Sequence, residues 1–247
     1  MANARTAALA GASDRAFYCR SVGYLAPGNV AAFKRHVAEV EVYVNRVWPR
    51  VAALDAARGG LDIVELGAGT CLTSLLLRKA LGRGRFLCLD ISAARMAALA
   101  GGVAELVGAT GDGLGFVEHD FTYALPLADG SADLLVFDAA LHHSRDIWMT
   151  LRECRRVLRP GGAVAALREA YLSPLTYPIA LKRMLRSAEV AAGAVENAYL
   201  RAQYEYYFRA TGFEPVFIPV FPNAKWRMLA PLNGILMAKY VIWATVA

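Results

Sequence analysis

A turn of small residues that carries an acid on its leading side, with a second acid about twenty residues later, is an arrangement that can hold a nucleoside. The segment Glu65-Leu66-Gly67-Ala68-Gly69-Thr70 has this form. Glycine at 67 and 69 lets the backbone turn sharply and approach a ligand with no Cβ in the way. Asp90 stands 21 residues beyond Gly69, the distance at which an acidic side chain in a strand-helix-strand unit accepts hydrogen bonds from both ribose hydroxyls. With Ile91 beside that acid, these residues describe an adenosine site. Two further acids, Asp120 and Asp138, end apolar runs, and the pair His142-His143 follows shortly after the second. A neutral imidazole within reach of a hydroxyl can take its proton near pH 7.

Chemistry at such points needs strands that deliver them and helices that hold the strands. Residues 62–66, 85–91, 114–121, 132–139 and 163–167 are short apolar runs, the first four of them ending in a polar or glycine cluster. Between them, Leu72, Leu75, Leu76 and Ala80 mark one helix closed by Gly82, and Ser92 caps another, Ala-rich and broken around Gly101-Gly102. A third helix places Ile147, Leu151, Cys154 and Leu158 on one face, its arginines suit the C-terminal dipole, and Pro160-Gly161-Gly162 stops it. Ahead of the first strand, Val30, Phe33, Val37, Val40, Val44 and Val47 recur at helical steps, so a helix is expected to end near Trp48-Pro49. Apolar strands alternating with amphipathic helices require a doubly wound α/β sheet covered on both faces, and in such sheets ligands bind beyond the carboxyl ends of the strands.

Residues 171–211 read as a helical stretch with seven aromatic side chains, after which residues 214–221 and 234–245 read as a closing antiparallel pair. The domain reading is therefore an N-terminal helical cap over 1–58, a nucleoside-binding core over 59–170, a helical lid over 171–211 and terminal strands over 212–247. Tyr18, Tyr24, Tyr171 and Glu196 are the candidate acceptor contacts. The aromatics could equally form the core of a small helical cap, because apolar pockets and cores use the same residues.

The chain has 247 residues, 57% of them hydrophobic, with Gly and Pro at ordinary levels, which excludes a disordered or collagen-like chain. Four cysteines lack the paired spacing of a zinc site and histidines number only four, so no metal is expected. The 27 basic residues exceed the 21 acidic ones but are scattered, which argues against nucleic acid as partner. No apolar run is long enough to span a bilayer, and the first thirteen residues lack the apolar core of a secretion signal, so a cytoplasmic protein is expected. The 30–47 helix is too short in heptads to decide between monomer and homodimer.

These residues resemble the class I S-adenosylmethionine-dependent methyltransferases, in particular the ubiquinone-type and natural-product subgroup. Ile63 to Thr70 is similar to that family's first motif, Asp90 to its ribose acid, and His119-Asp120-Phe121 to its adenine-contacting segment. Leu141-His142-His143 through Arg156-Val157-Leu158-Arg159-Pro160-Gly161-Gly162 is similar to its later helix and turn. The resemblance covers about residues 60–170. It implies a Rossmann-like seven-stranded sheet with an antiparallel last strand, S-adenosylmethionine as cofactor and S-adenosylhomocysteine as product. It further implies a small-molecule acceptor, methylated at a hydroxyl oxygen, with His142 or His143 as base and Glu169 as acidic partner. Glu65, Gly67, Ala68, Gly69, Asp90, Ile91, Asp120, Phe121 and Asp138 become cofactor contacts, Asp138 either orienting the methionine amino group or ending its strand. Cys71 departs from the glycine common at its position, which reads as a packing change. Three rival readings remain open: a nicotinamide oxidoreductase, disfavoured by Leu72 where its fingerprint wants a small residue; a nucleic-acid methyltransferase, disfavoured by the absence of a Pro-Pro-aromatic element after Asp138; and a non-catalytic cofactor-binding scaffold.

Overall fold

The computed structural model describes residues 29–191, 195–221, 227–233, 235 and 239–247. Its first helix, α1 (Val30–Arg58), runs straight through Pro49 and past the expected end. A proline inside a helix removes one backbone bond and costs roughly 3 kcal/mol. Tyr43, Val44, Val47 and Val51 on the two sides of Pro49 are all buried, and at roughly 1.5–3 kcal/mol for each fully buried side chain their packing outweighs that cost. Past the proline, Asp55 also accepts hydrogen bonds from the Arg83 guanidinium at 2.6–3.3 Å.

The sheet forms as the apolar runs require. β1 (Asp62–Leu66), α2 (Leu72–Leu81), β2 (Arg85–Asp90), α3 (Ala93–Val107), β3 (Leu114–Glu118), β4 (Ala132–Asp138), α4 (Ile147–Val157) and β5 (Leu158–Leu167) alternate along the chain. α3 continues through Gly101-Gly102 instead of breaking there, because Val103, Ala104 and Val107 extend its buried face. β5 begins earlier than expected, pairing Leu158 with Ala132 before a register shift. After it come β6 (Tyr171–Leu172), α5 (Tyr177–Met184), α6 (Ala188–Ala191), β7 (Tyr199–Leu200), α7 (Arg201–Ala210), β8 (Phe213–Pro219) and β9 (Tyr240–Val246).

The strand order of the main sheet is β3-β2-β1-β4-β5-β9-β8, with β9 antiparallel to both neighbours and the first five strands parallel. The order reverses between β1 and β4, so the carboxyl ends of those strands part around a crevice. One face carries α1, α2 and α3 on a core that includes Phe33, Leu75, Val103 and Trp243; the other carries α4 and α7 on Leu151, Cys154, Tyr204 and Phe208.

Residues 171–211 are not the continuous helical stretch the sequence implies. β6 and β7 pair in parallel, Tyr171 with Tyr199 and Leu172 with Leu200, so the chain leaves the sheet and returns to the same place. Tyr204 and Phe208 on α7 are fully buried beneath the sheet; they belong to the core.

Candidate functional site

At the end of β1 the backbone amides of Gly67 and Ala68 both donate to the Leu89 carbonyl, at 2.8 and 3.0 Å, which folds the turn toward β2. Gly67 has φ +71, and a Cβ there would lie 2.8 Å from the Ala140 Cβ and 3.1 Å from the Phe121 ring. Gly69 has φ +52, and its absent Cβ faces nothing nearer than the Arg95 guanidinium at 3.7 Å. The first glycine is required by the packing of the turn on its neighbours; the second leaves its ligand side open. Cys71, next to α2, is left-handed as well, with φ 59 and no glycine to relieve it. Its thiol contacts Cys88, and that contact together with burial raises its pKa, so it is no thiolate nucleophile.

Asp90 closes this half of the site. One carboxylate oxygen accepts from the Gly69 amide at 2.9 Å and the other from the Ser92 amide at 3.2 Å, tying the acid to the turn it serves. Burial raises its pKa, and hydrogen bonds from Gly69 and Ser92 with the charge of Arg95 pull the other way. Glu65 lies deeper. It accepts from the Ser74 amide at 2.9 Å, and burial, with the nearby charges of Asp138 and Asp90, pushes its pKa up to about 8.

On the other wall, Phe121 packs edge-on against Phe137 with ring centres 5.6 Å apart, and Asp120 accepts from the amide and hydroxyl of Thr122 at 3.0 and 2.7 Å. Asp138 is held by Arg168, at 2.6 and 2.9 Å, and by the Thr73 hydroxyl at 3.0 Å. Its carboxylate is already paired with a cation, whereas among the described residues no cation pairs with Glu65. Arg168 itself sits at φ 51.

The paired histidines occupy a 3-10 turn, Leu141–His143, just after β4. Glu169, at the end of β5, accepts from the amides of Ala140, Leu141 and His142 at 3.3, 3.1 and 3.0 Å. The same carboxylate meets His142 Nδ1 at 2.7 Å. A carboxylate offers only acceptors, so Nδ1 carries a proton, and in the neutral imidazole the lone pair is on Nε2. Glu196 Oε1 lies 3.7 Å from that Nε2, and Glu196 Oε2 lies 3.1 Å from His143 Nδ1. Burial lowers the pKa of His143, but its bonds to Glu196 and to the Val195 carbonyl outweigh this and the net direction is upward. Asn197 fastens this segment down: its amide nitrogen donates to the His142 and Ser144 carbonyls at 3.1 and 2.9 Å, and its backbone to His142 again.

Most of these groups border one cavity of about 450 Å³, a size typical of small-ligand sites. Glu65, Gly67, Ala68, Gly69, Asp90, Ile91, Asp120, Phe121, Asp138, His142, His143 and Glu196 line it. Glu169 stands behind His142. Tyr171 is elsewhere, its ring edge-on to Tyr204 and Tyr240, so it is a packing residue at the root of β6. Tyr18 and Tyr24 lie outside the described residues.

His36, Arg95, Arg145 and Arg168 also line the cavity and escaped the sequence reading. Arg168 could have been found, since it follows β5 directly and strand ends were the places to look. His36 could not, because on its helix it is one polar residue among many. Among the described residues, His142, His143 and Glu196 form a group whose ligand atoms lie within 4.8 Å of one another, close enough to share a cation. Nδ1 of each imidazole is already engaged, by Glu169 and by the Val195 carbonyl.

The cradle fits a nucleoside cofactor: an open glycine turn, a buried acid fixed to it, and an aromatic wall opposite. Residues 64–166 match the family model of a methyltransferase domain. The chain is 33% identical over 203 residues to the malonyl-acyl-carrier-protein O-methyltransferase of Methylococcus capsulatus, covering 81% of this chain and 65% of that protein. It is 31% identical over 141 residues to a ubiquinone/menaquinone biosynthesis C-methyltransferase of Hahella chejuensis, covering 56% of this chain and 54% of that one. The chain thus spans less than two thirds of the length of both relatives. A solved S-adenosylmethionine-dependent methyltransferase from Mesorhizobium loti matches the fold with a TM-score of 0.57 at 22% identity, covering 82% of this chain and 98% of that structure. With the strand order, the glycine turn and its acid already in place, residues 64–166 match a methyltransferase domain, and the sheet has the fold of a solved S-adenosylmethionine-dependent methyltransferase.

Proposed function

We propose that the protein transfers a methyl group from S-adenosylmethionine to a hydroxyl oxygen of a small-molecule acceptor. The observation that carries this reading is the His142 imidazole, fixed by Glu169 with its Nε2 lone pair at the wall of the cavity that the glycine turn and Asp90 also line. The cofactor supplies a methyl group already activated on a sulfonium, so the chain's own task is to position the acceptor, exclude water and remove one proton.

In this reading Asp90, with Ile91 beside it, would accept from the ribose hydroxyls. Asp120 and Phe121 would hold the adenine, and Glu65, deep in the same cavity, would serve the methionine end. His142 Nε2 would take the acceptor's hydroxyl proton; the cofactor would supply the methyl group, its carbon–sulfur bond breaking as the carbon–oxygen bond forms and S-adenosylhomocysteine leaving. The imidazolium so formed is stabilised on one side by Glu169 and on the other by Glu196, with His143 holding Glu196 in place. Residues 171–211 contribute the acceptor side through Glu196, over the core of residues 59–170.

The test is mass-shift screening: the purified chain, the cofactor and a panel of hydroxylated compounds, read for a gain of one methylene unit. On a compound that is converted, His142→Ala should lower turnover about 100-fold or more with S-adenosylhomocysteine affinity unchanged. Product methylated at carbon or nitrogen would overturn the hydroxyl assignment, and undiminished turnover in His142→Ala would overturn the base.

A further inference from the structure

Between Glu169 and Glu196, the two carboxylates that flank His142, the chain makes an excursion whose helix α5 has no buried residue. At helical spacing, Tyr177, Leu181, Met184 and Leu185 share one side of that helix and its following turn, and Lys182, Arg183 and Arg186 the other. Such patterning normally serves to bury the apolar side, yet Tyr177 and Leu185 on that side are 38% and 60% exposed, and Leu175 before the helix and Ile179 on its cationic side are 65% and 75% exposed. Ile235, itself more than half exposed, joins the root of the segment through a bond from the Ser173 hydroxyl to its carbonyl. Residues 170–188 contain no Asp or Glu, and among the described residues no carboxylate pairs with Lys182, Arg183 or Arg186. Single exposed apolar side chains are ordinary; a cluster of them mixed with uncompensated cations marks a contact surface.

We infer that α5 is an interfacial helix that seats the acceptor side of the cavity on an anionic lipid surface. The apolar side chains enter the headgroup boundary and the three cations meet lipid phosphates. An anionic lipid surface is favoured because residues 170–188 carry Lys182, Arg183 and Arg186 with no acidic residue, and exposed apolar side chains stand beside those cations. The inference concerns how an apolar acceptor reaches the cavity, and its test uses no methyl transfer, so it stands or falls separately from the role of His142.

The experiment is co-sedimentation of the full chain with vesicles of phosphatidylcholine alone and of an equal mixture with phosphatidylglycerol. Binding is expected to the mixture only and to weaken as salt is raised. The combined variant Lys182→Glu, Arg183→Glu, Arg186→Glu should bind the mixture at least about 100-fold more weakly, each lost cation near an anionic surface being worth roughly five-fold and the new carboxylates adding repulsion. Leu185→Gln should weaken it with the charge of the segment unchanged. Calorimetry with S-adenosylhomocysteine reports whether each variant is folded. A control, Lys34→Glu with Arg35→Glu on the exposed side of α1, should bind as the parent does. Equal binding to both vesicles, no binding to either, or equal loss in the α1 control would overturn the proposal. So would protection of α5 from proteolysis by an acidic carrier protein with none by the vesicles.

Discussion

Replacing each glycine of the turn in separation by alanine should divide stability from cofactor binding in opposite ways. At Gly67 the new Cβ meets two penalties. The left-handed backbone, φ +71, costs a non-glycine residue roughly 1–2 kcal/mol. The Cβ would also stand 2.8 Å from the Ala140 Cβ and 3.1 Å from Phe121, well inside the 3.5–4.0 Å at which carbon atoms attract, and overpacking of this kind typically costs roughly 1–3 kcal/mol. Gly67→Ala should therefore lose about 2–5 kcal/mol, a visible fall in the urea midpoint. Gly69→Ala carries the backbone cost alone, because its Cβ would meet only the Arg95 guanidinium at 3.7 Å, and should lose about 1–2 kcal/mol. Yet that methyl group would project where the ligand backbone approach was left open, beside the amide that donates to Asp90. Gly69→Ala should thus weaken S-adenosylhomocysteine binding by calorimetry more than its stability loss alone would suggest. If Gly69→Ala proves the less stable variant, or binds the nucleoside as the parent does, the division of labour between the two glycines is wrong.

Two further outcomes follow from the buried carboxylates. Burial raises Glu65 to about 8 from an ordinary 4.5, so its contribution favours the fold below the unfolded value and is lost as pH climbs through the folded one; the shift corresponds to a loss on the order of 5 kcal/mol by pH 8. Glu65→Gln keeps an acceptor for Ser74 and cannot ionise, so its stability relative to the parent should grow between pH 5 and 8 in parallel urea titrations, and a difference independent of pH would refute the buried acid. Removing Glu169 should be more costly still. Glu169→Ala strands three backbone donors and His142 Nδ1 in a buried site, a loss of roughly 3–5 kcal/mol, and nitrogen NMR of His142 should show the Nδ1–H tautomer in the parent giving way to a mixture. An unchanged tautomer would mean that Glu169 does not set it.

The sheet was legible because its strands are continuous apolar runs and its helices amphipathic, and those two periods survive in the sequence whatever else the chain does. The cofactor half was legible for a related reason: Gly67, Gly69 and Asp90 act within one strand-helix-strand unit, so their spacing along the chain fixes their spacing in space. Local signals misled where tertiary packing overrode them. Pro49 and Gly101-Gly102 look like stops, and the buried faces that continue past them, through Val51 in one case and Val107 in the other, carry the helices on.

The acceptor half obeys a different rule. His142 meets Glu169 across 27 residues and Glu196 across 54, and the intervening chain leaves and re-enters at the Tyr171–Tyr199 pairing. No periodicity encodes that return, since two residues of parallel pairing are too few to leave a pattern. Tyr171, whose aromatic neighbours make it look like an acceptor contact, packs against Tyr204 and Tyr240 where the loop closes. Glu196 belongs to the site because that closure, with Asn197 bonded to the carbonyls of His142 and Ser144, carries it back beside the imidazoles. His142 is thus held from two directions by different means: Glu169 from the end of β5, Glu196 by a return that depends on one small pairing and one asparagine. The first fixes which nitrogen bears the proton; the second can yield without disturbing the cofactor cradle, because none of its contacts reaches Gly67, Gly69 or Asp90.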